Sequence, residues 1–186
     1  MASLFRTFNK LLLKRPLATQ CVTSAILFAS GDIIAQQAIE RKRAKHDFSR
    51  TARLTFYGGC LLGPPASKWI AFLNQLRFAT PIKAVIYRTW LDQTLMAPLV
   101  VGWFFASMSL MEGKGVSGVM DGLSTMYAPT LMRGWAVYTP TQIINFTLVP
   151  PQFRFVFVSL VSLVWNTYLS IVNAQLGRDI TEPVGY

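Results

Sequence analysis

Two carboxylates stand inside runs of apolar residues long enough to cross a lipid bilayer. Asp32 lies in the run 17–39, with Gln36 one helical turn further on and Gln37 after it. Asp92 lies in the run 89–111, with Gln93 beside it. An ionised side chain at the bilayer centre costs about 2.5–3.5 kcal/mol on insertion scales, so such a residue normally faces a partner or a watery cavity rather than lipid. Two kinds of chemistry follow. Asp32, Gln36 and Asp92 could line an aqueous route for small solutes. The same groups could instead join helices by hydrogen bonds, each worth about 0.6–2 kcal/mol. Arg88 precedes Asp92 by four residues, a spacing that lets the two pair along one helix. Asp32 has no basic residue at that spacing within its own run, which makes it the more informative of the two.

Catalytic chemistry is poorly supplied. Cys21 and Cys60 are far apart in apolar context, and His46 is the single histidine of the chain, set in a basic loop. That set offers neither a metal-ligand spacing nor a nucleophile beside a base. The expectation is no enzyme activity, no metal and no cofactor.

The elements that carry the acids are read from composition and periodicity. Of 186 residues, 52% are hydrophobic and 14% are charged, against about 25% charged in a soluble domain. The pattern predicts an all-α, polytopic membrane helix bundle forming one integral membrane domain over 1–186. Four transmembrane helices are expected, at 17–39, 54–76, 89–111 and 153–172. At about 1.5 Å per residue, each is long enough for a hydrocarbon core of about 30 Å. Before them, Arg6, Lys10 and Lys14 recur every four residues in an acid-free stretch with Leu4, Phe8, Leu11 and Leu12. That pattern predicts an N-terminal amphipathic helix, either a targeting segment of mitochondrial type or an interfacial helix. The half-apolar stretch 123–149 contains Pro129, Arg133, Gly134 and Pro140 and is expected to be a broken or re-entrant segment.

Spacing also predicts how the helices meet. Cys21, Ala25, Ala29, Asp32 and Gln36 share one small, polar face of the first span, while Val22, Ile26 and Ile33 face lipid. Gly59-x-x-x-Gly63 favours close helix packing, and Pro64-Pro65 should kink or break the second span. Pro98 lies inside the third. The linker Glu40–Arg53 is polar and is expected outside the membrane. The net charge of +10 gathers at the ends of the apolar runs, where it meets anionic headgroups. The partners this implies are the lipid bilayer and small metabolites or ions, with no nucleic acid contact.

Gly31-Asp32-Ile33-Ile34-Ala35-Gln36-Gln37 resembles the first-helix motif of the Mpv-seventeen and peroxisomal-membrane-protein-twenty-two family. The resemblance continues in order through Asp47, Arg50-Thr51-Ala52-Arg53, Tyr57-Gly58, Gly63-Pro64, Trp69, Asp92-Gln93, Ala97-Pro98 and Met111-Glu112-Gly113. It ends with Gln142-Ile143-Ile144-Asn145-Phe146, Val149-Pro150, Arg154 and Trp165–Ser170. It adds Gln142, Asn145 and Arg154 to the candidate pore or interhelical polar residues, and Gly31 to the packing set of Gly59, Gly63, Pro64 and Pro98. The chain is most similar to the fungal stress-linked branch in the mitochondrial inner membrane. Thr139-Pro140-x-Gln142 is similar to the peroxisomal branch, which keeps a peroxisomal membrane as the alternative. The resemblance implies a small-solute channel linked to stress response and mitochondrial DNA maintenance. A non-conducting structural or assembly protein is the alternative, and a homo-oligomer stays open.

Overall fold

Prolines and polar caps mark where most of the helices start. The computed structural model describes residues 2–40, 45–165 and 167, and every regular element among the described residues is helical. Helix α1 (Ala2–Lys14) keeps Arg6, Lys10 and Lys14 in solvent and buries Leu12. Leu11, expected on the apolar side, is exposed. Helix α2 (Pro16–Ile34) opens on Pro16, whose missing N–H is no loss in a first turn, and ends in a π-helical turn over Ala35–Ile39. Helix α3 (Phe48–Phe56) is capped by the Asp47 side chain, which accepts from the Arg50 amide at 2.9 Å. It runs through a π turn (Tyr57–Leu62) directly into α4 (Gly63–Gln75).

Thr80 caps α5 (Pro81–Leu91), which passes through a third π turn (Asp92–Met96) into α6 (Ala97–Met111). Gly113 and Gly115 take φ values of 74° and 64°, which side chains with a Cβ adopt at a cost. They reverse the chain into α7 (Gly115–Leu148), and α8 (Pro151–Trp165) follows. Two of these rods, Pro16–Ala38 and Pro81–Met111, are long and apolar enough to cross a membrane, with mean hydropathy of 1.4 and 1.6.

Three sequence expectations need correction. The stretch 123–149 is not broken: it belongs to a continuous helix of 34 residues that contains both Pro129 and Pro140. A single missing N–H inside a long helix bends it more readily than it ends it when neighbouring rods pack along its length. Pro64-Pro65 does not break the second rod either, because the π turn before it resets the hydrogen-bond register. That rod starts at Phe48 rather than 54, so the polar linker is shorter than expected and Arg50 and Arg53 are helical. The last apolar run, expected over 153–172, is helical through Trp165; of the remainder only Thr167 is among the described residues.

The small face of α2 packs on the α3–α4 rod as its spacing predicts. A Cβ built on Gly59 would sit 2.9 Å from the Ala25 Cβ, and one on Gly63 would sit 3.2 Å from Cys21. Gly31 meets α8, with the Leu163 carbonyl 3.4 Å away. The tightest approach between these helices is at Gly58, where a Cβ would lie 2.6 Å from the Phe28 ring. Overpacking of this kind costs about 1–3 kcal/mol. Gly134 in α7 has nothing within 4 Å of its Cβ position, and there alanine should gain helix propensity. Gly58→Ala is therefore expected to lower the thermal unfolding midpoint in detergent and Gly134→Ala to hold or raise it. Equal shifts at the two positions would contradict this packing.

Candidate functional site

Asp92 sits where α5 gives way to α6, inside the π turn. The turn exists because the chain adds one residue ahead of Pro98. The Ala97 N–H reaches back five residues to the Asp92 carbonyl, and Pro98 then has no N–H to offer the Gln93 carbonyl. Trp135 of α7 fills that acceptor, donating its indole N–H at 2.9 Å. Trp135→Phe should thus cost about 1 kcal/mol by orphaning a buried carbonyl. In a Pro98→Ala background, where a backbone N–H competes for the same oxygen, it should cost less. A thermodynamic cycle with no coupling between the two positions would refute the assignment.

The Asp92 side chain is buried, 7% exposed, and its carboxylate is held by neutral donors from three elements. Trp69 Nε1 of α4 donates to Oδ1 at 2.8 Å. Gln93 Nε2 and Gln142 Nε2, the latter from α7, donate to Oδ2 at 2.9 and 2.8 Å. Asn145 Nδ2 then donates to Gln142 Oε1 at 2.9 Å, one turn along α7. Among the described residues no ion pair reaches Asp92. The expected Arg88 pairing does not form. Arg88 Nη2 donates instead to the carbonyls of Asn74 and Leu76, at 3.4 and 2.8 Å. The bare carbonyls at a helix C-terminus carry partial negative charge and attract cations, and α4 ends there. Arg154 does the same for α7, donating to the Val149 and Phe146 carbonyls at 3.1 and 3.3 Å and also to Asn74 Oδ1. Both guanidinium groups also lie near the Phe146 ring, with centroid distances of 6.0 and 5.3 Å.

Asp32 belongs to a separate cluster at the hairpin between α2 and α3. No basic residue is spaced to pair with it within its own helix, but a partner comes from across the loop. Arg50 Nε lies 2.8 Å from Asp32 Oδ1, while its Nη2 atom lies 2.9 Å from Glu40. Thr51 Oγ1 and Gln36 Nε2 donate to Asp32 Oδ2 at 2.6 and 2.8 Å. Gln36 also exchanges hydrogen bonds with the Asp47 backbone, at 2.7 and 3.1 Å. His46 joins through Thr51 and Gln37. This is a closed clamp in which the buried acid is neutralised by an arginine one turn into the next helix.

The middle of the bundle holds a cavity of about 160 Å³. Asp92, Gln93 and Gln142, with the hydroxyl residues Ser24, Thr130, Ser159 and Ser162, supply its polar lining; Asp32 and Gln36 do not line it. The rest is apolar: aliphatic side chains such as Ile70, Val101 and Leu131, and aromatic rings from α2, the Tyr57 turn, α4, α6, α7 and α8, among them Phe28, Trp69, Phe104 and Phe155. Two oxygens at this wall, Gln93 Oε1 and Tyr57 Oη, are buried without a hydrogen-bond partner. Sequence reasoning singled out neither Tyr57 nor Trp69 as a site residue. The available signal was a polar-tipped aromatic within an apolar run, which normally seeks a partner when buried. Of the sequence-chosen residues, the structure thus joins Asp92, Gln93, Gln142 and Asn145 in one network, Asp32 and Gln36 in another, and puts Arg154 at the ends of α4 and α7.

The Mpv17 / PMP22 family profile matches residues 109–170, which cover α7 and α8. The chain is 44% identical to "Protein SYM1" of Gibberella zeae over 178 residues, spanning 94% of this chain and 100% of that protein. It is 39% identical to "Protein SYM1" of Mycosarcoma maydis over 88% of this chain and 83% of the relative. With "Protein sym-1" of Neurospora crassa it shares 41% identity, over 87% of this chain and 94% of the relative. No solved structure matches it. Because the likeness to these fungal proteins runs nearly end to end, the chain belongs to the Mpv17 / PMP22 family.

Proposed function

We propose that the chain is a multi-pass protein of the mitochondrial inner membrane whose central cavity is part of a route for small solutes, serving metabolic stress response and mitochondrial DNA maintenance. The observation that carries this reading is Asp92: a buried carboxylate at the wall of a central cavity, with no cation paired to it among the described residues. Soluble proteins rarely bury such a group, and in membranes it commonly marks a solute path. The four apolar runs cross the bilayer in this reading, and α7 crosses with them: its 34 residues span about 51 Å. The exposed basic face of α1 lies on anionic headgroups or serves as a mitochondrial address. No catalytic step is involved.

The wild-type chain, purified and reconstituted, should dissipate a KCl gradient across liposomes faster than protein-free liposomes do. Equal rates would reject conduction. They would favour a second reading, a non-conducting assembly protein, which the ion-paired Asp32–Arg50–Glu40 clamp supports. Imaging the chain with its N-terminus untagged, against mitochondrial and peroxisomal markers, tests the compartment. Peroxisomal signal alone would move the proposal to that membrane.

A further inference from the structure

The cavity has a composition that selects by charge and shape. Its lining combines one carboxylate with several aromatic faces, and among the described residues no lysine, arginine or histidine is paired with that carboxylate. An ionised carboxylate has about four acceptor positions. Trp69, Gln93 and Gln142 occupy three of those of Asp92. One stays open, and the partnerless Gln93 Oε1 and Tyr57 Oη belong to residues on the same wall. The free capacity is acceptor capacity at Asp92 and Gln93, with a Tyr57 phenol that can accept or donate, beside a carboxylate that no cation among the described residues pairs.

We infer that this cavity binds a small primary ammonium ion carrying a short carbon chain. This rests on reading the cavity as a solute site, and it names the class of solute. An ammonium group has three N–H donors, and the lining residues Asp92, Gln93 and Tyr57 each keep an acceptor without a partner. Aromatic faces attract a cation within about 6 Å of a ring centre, and the same rings accept the carbon chain. An anion would meet Asp92. The volume of about 160 Å³ is close to the ~150 Å³ of a cavity that holds one benzene, which sets the ligand at about five or six heavy atoms.

Three probes of nearly the same size separate charge from shape: n-butylammonium chloride, n-butanol and sodium n-butyrate. Each is titrated calorimetrically into the full chain in non-ionic detergent, with empty micelles as the blank. Butylammonium should bind at least tenfold more tightly than butanol, with no butyrate binding. Asp92→Asn should reduce the butylammonium advantage to less than threefold, and Asp92→Glu should restore part of it. Butanol or butyrate binding as tightly as butylammonium in the wild-type chain would overturn the inference, as would absence of butylammonium binding. The wild-type comparison stands even where a variant fails to fold. Potassium flux without butylammonium binding would sink this inference alone. Selective binding without flux would uphold it and sink conduction.

Discussion

Asp92→Leu is expected to lower the free energy of unfolding by about 2–4 kcal/mol. The substitution removes the acceptor that three side-chain donors share: Trp69 Nε1, Gln93 Nε2 and Gln142 Nε2. Each buried donor left unpaired costs about 1–3 kcal/mol in water-soluble proteins. Within membranes the unfolded chain also finds partners, and measured contacts average about 0.6 kcal/mol, so the sum is set well below three full penalties. Asp92→Asn retains one oxygen and should cost only about 1–2 kcal/mol. Unfolding in mixed micelles with a rising fraction of denaturing detergent reads both. Equal and small losses for the two variants, under 0.5 kcal/mol by this order-of-magnitude argument, would show that the network does not hold α4, α5–α6 and α7 together.

Arg50→Met is the second large effect, expected at about 2–3 kcal/mol. Methionine keeps an unbranched stem of similar course and deletes the charge. What remains is Asp32, with a side chain 0% exposed, and Glu40, 5% exposed, with their shared cation gone. Breaking a buried pair from one side costs about 3–5 kcal/mol. The Arg50 side chain is 21% exposed, so water screens part of that loss and the lower figure applies. The paired change Asp32→Asn with Arg50→Met should recover at least about 1 kcal/mol, since residues in one ion-pair network couple by about 0.5–3 kcal/mol. Strict additivity would mean that the arginine acts through its stem packing alone.

The two acids exchange rank between sequence and structure, for a physical reason. Local spacing offered Asp92 a partner in Arg88 and offered Asp32 none. Helix geometry only permits an i, i+4 pair; it does not require one. Arg88 is drawn to the bare carbonyls where α4 ends, a demand that appears only once the helices are assembled. Arg50 reaches Asp32 because α2 and α3 form a hairpin, and 19 positions separate Thr51 from the acid it also serves. Helix packing was more legible. The Cys21–Ala25–Asp32–Gln36 face and Gly59-x-x-x-Gly63 meet as their periodicity requires, because a shared face is a local property of a helix. The π turn at Asp92 was not legible: it depends on a proline acting together with a donor on another rod, Pro98 with the Trp135 indole N–H. The cavity was not legible either, since its polar and aromatic residues come from rods far apart in sequence, from Ser24 to Trp165.

The central claim is that solutes pass the wall carrying Asp92. It is tested most directly by the reversal potential of the purified chain in planar bilayers under a KCl gradient, comparing wild type with Asp92→Asn. The account predicts a wild-type current that favours cations and a reversal potential that moves toward zero in the variant. A wild-type current whose reversal potential is unchanged by Asp92→Asn would contradict it.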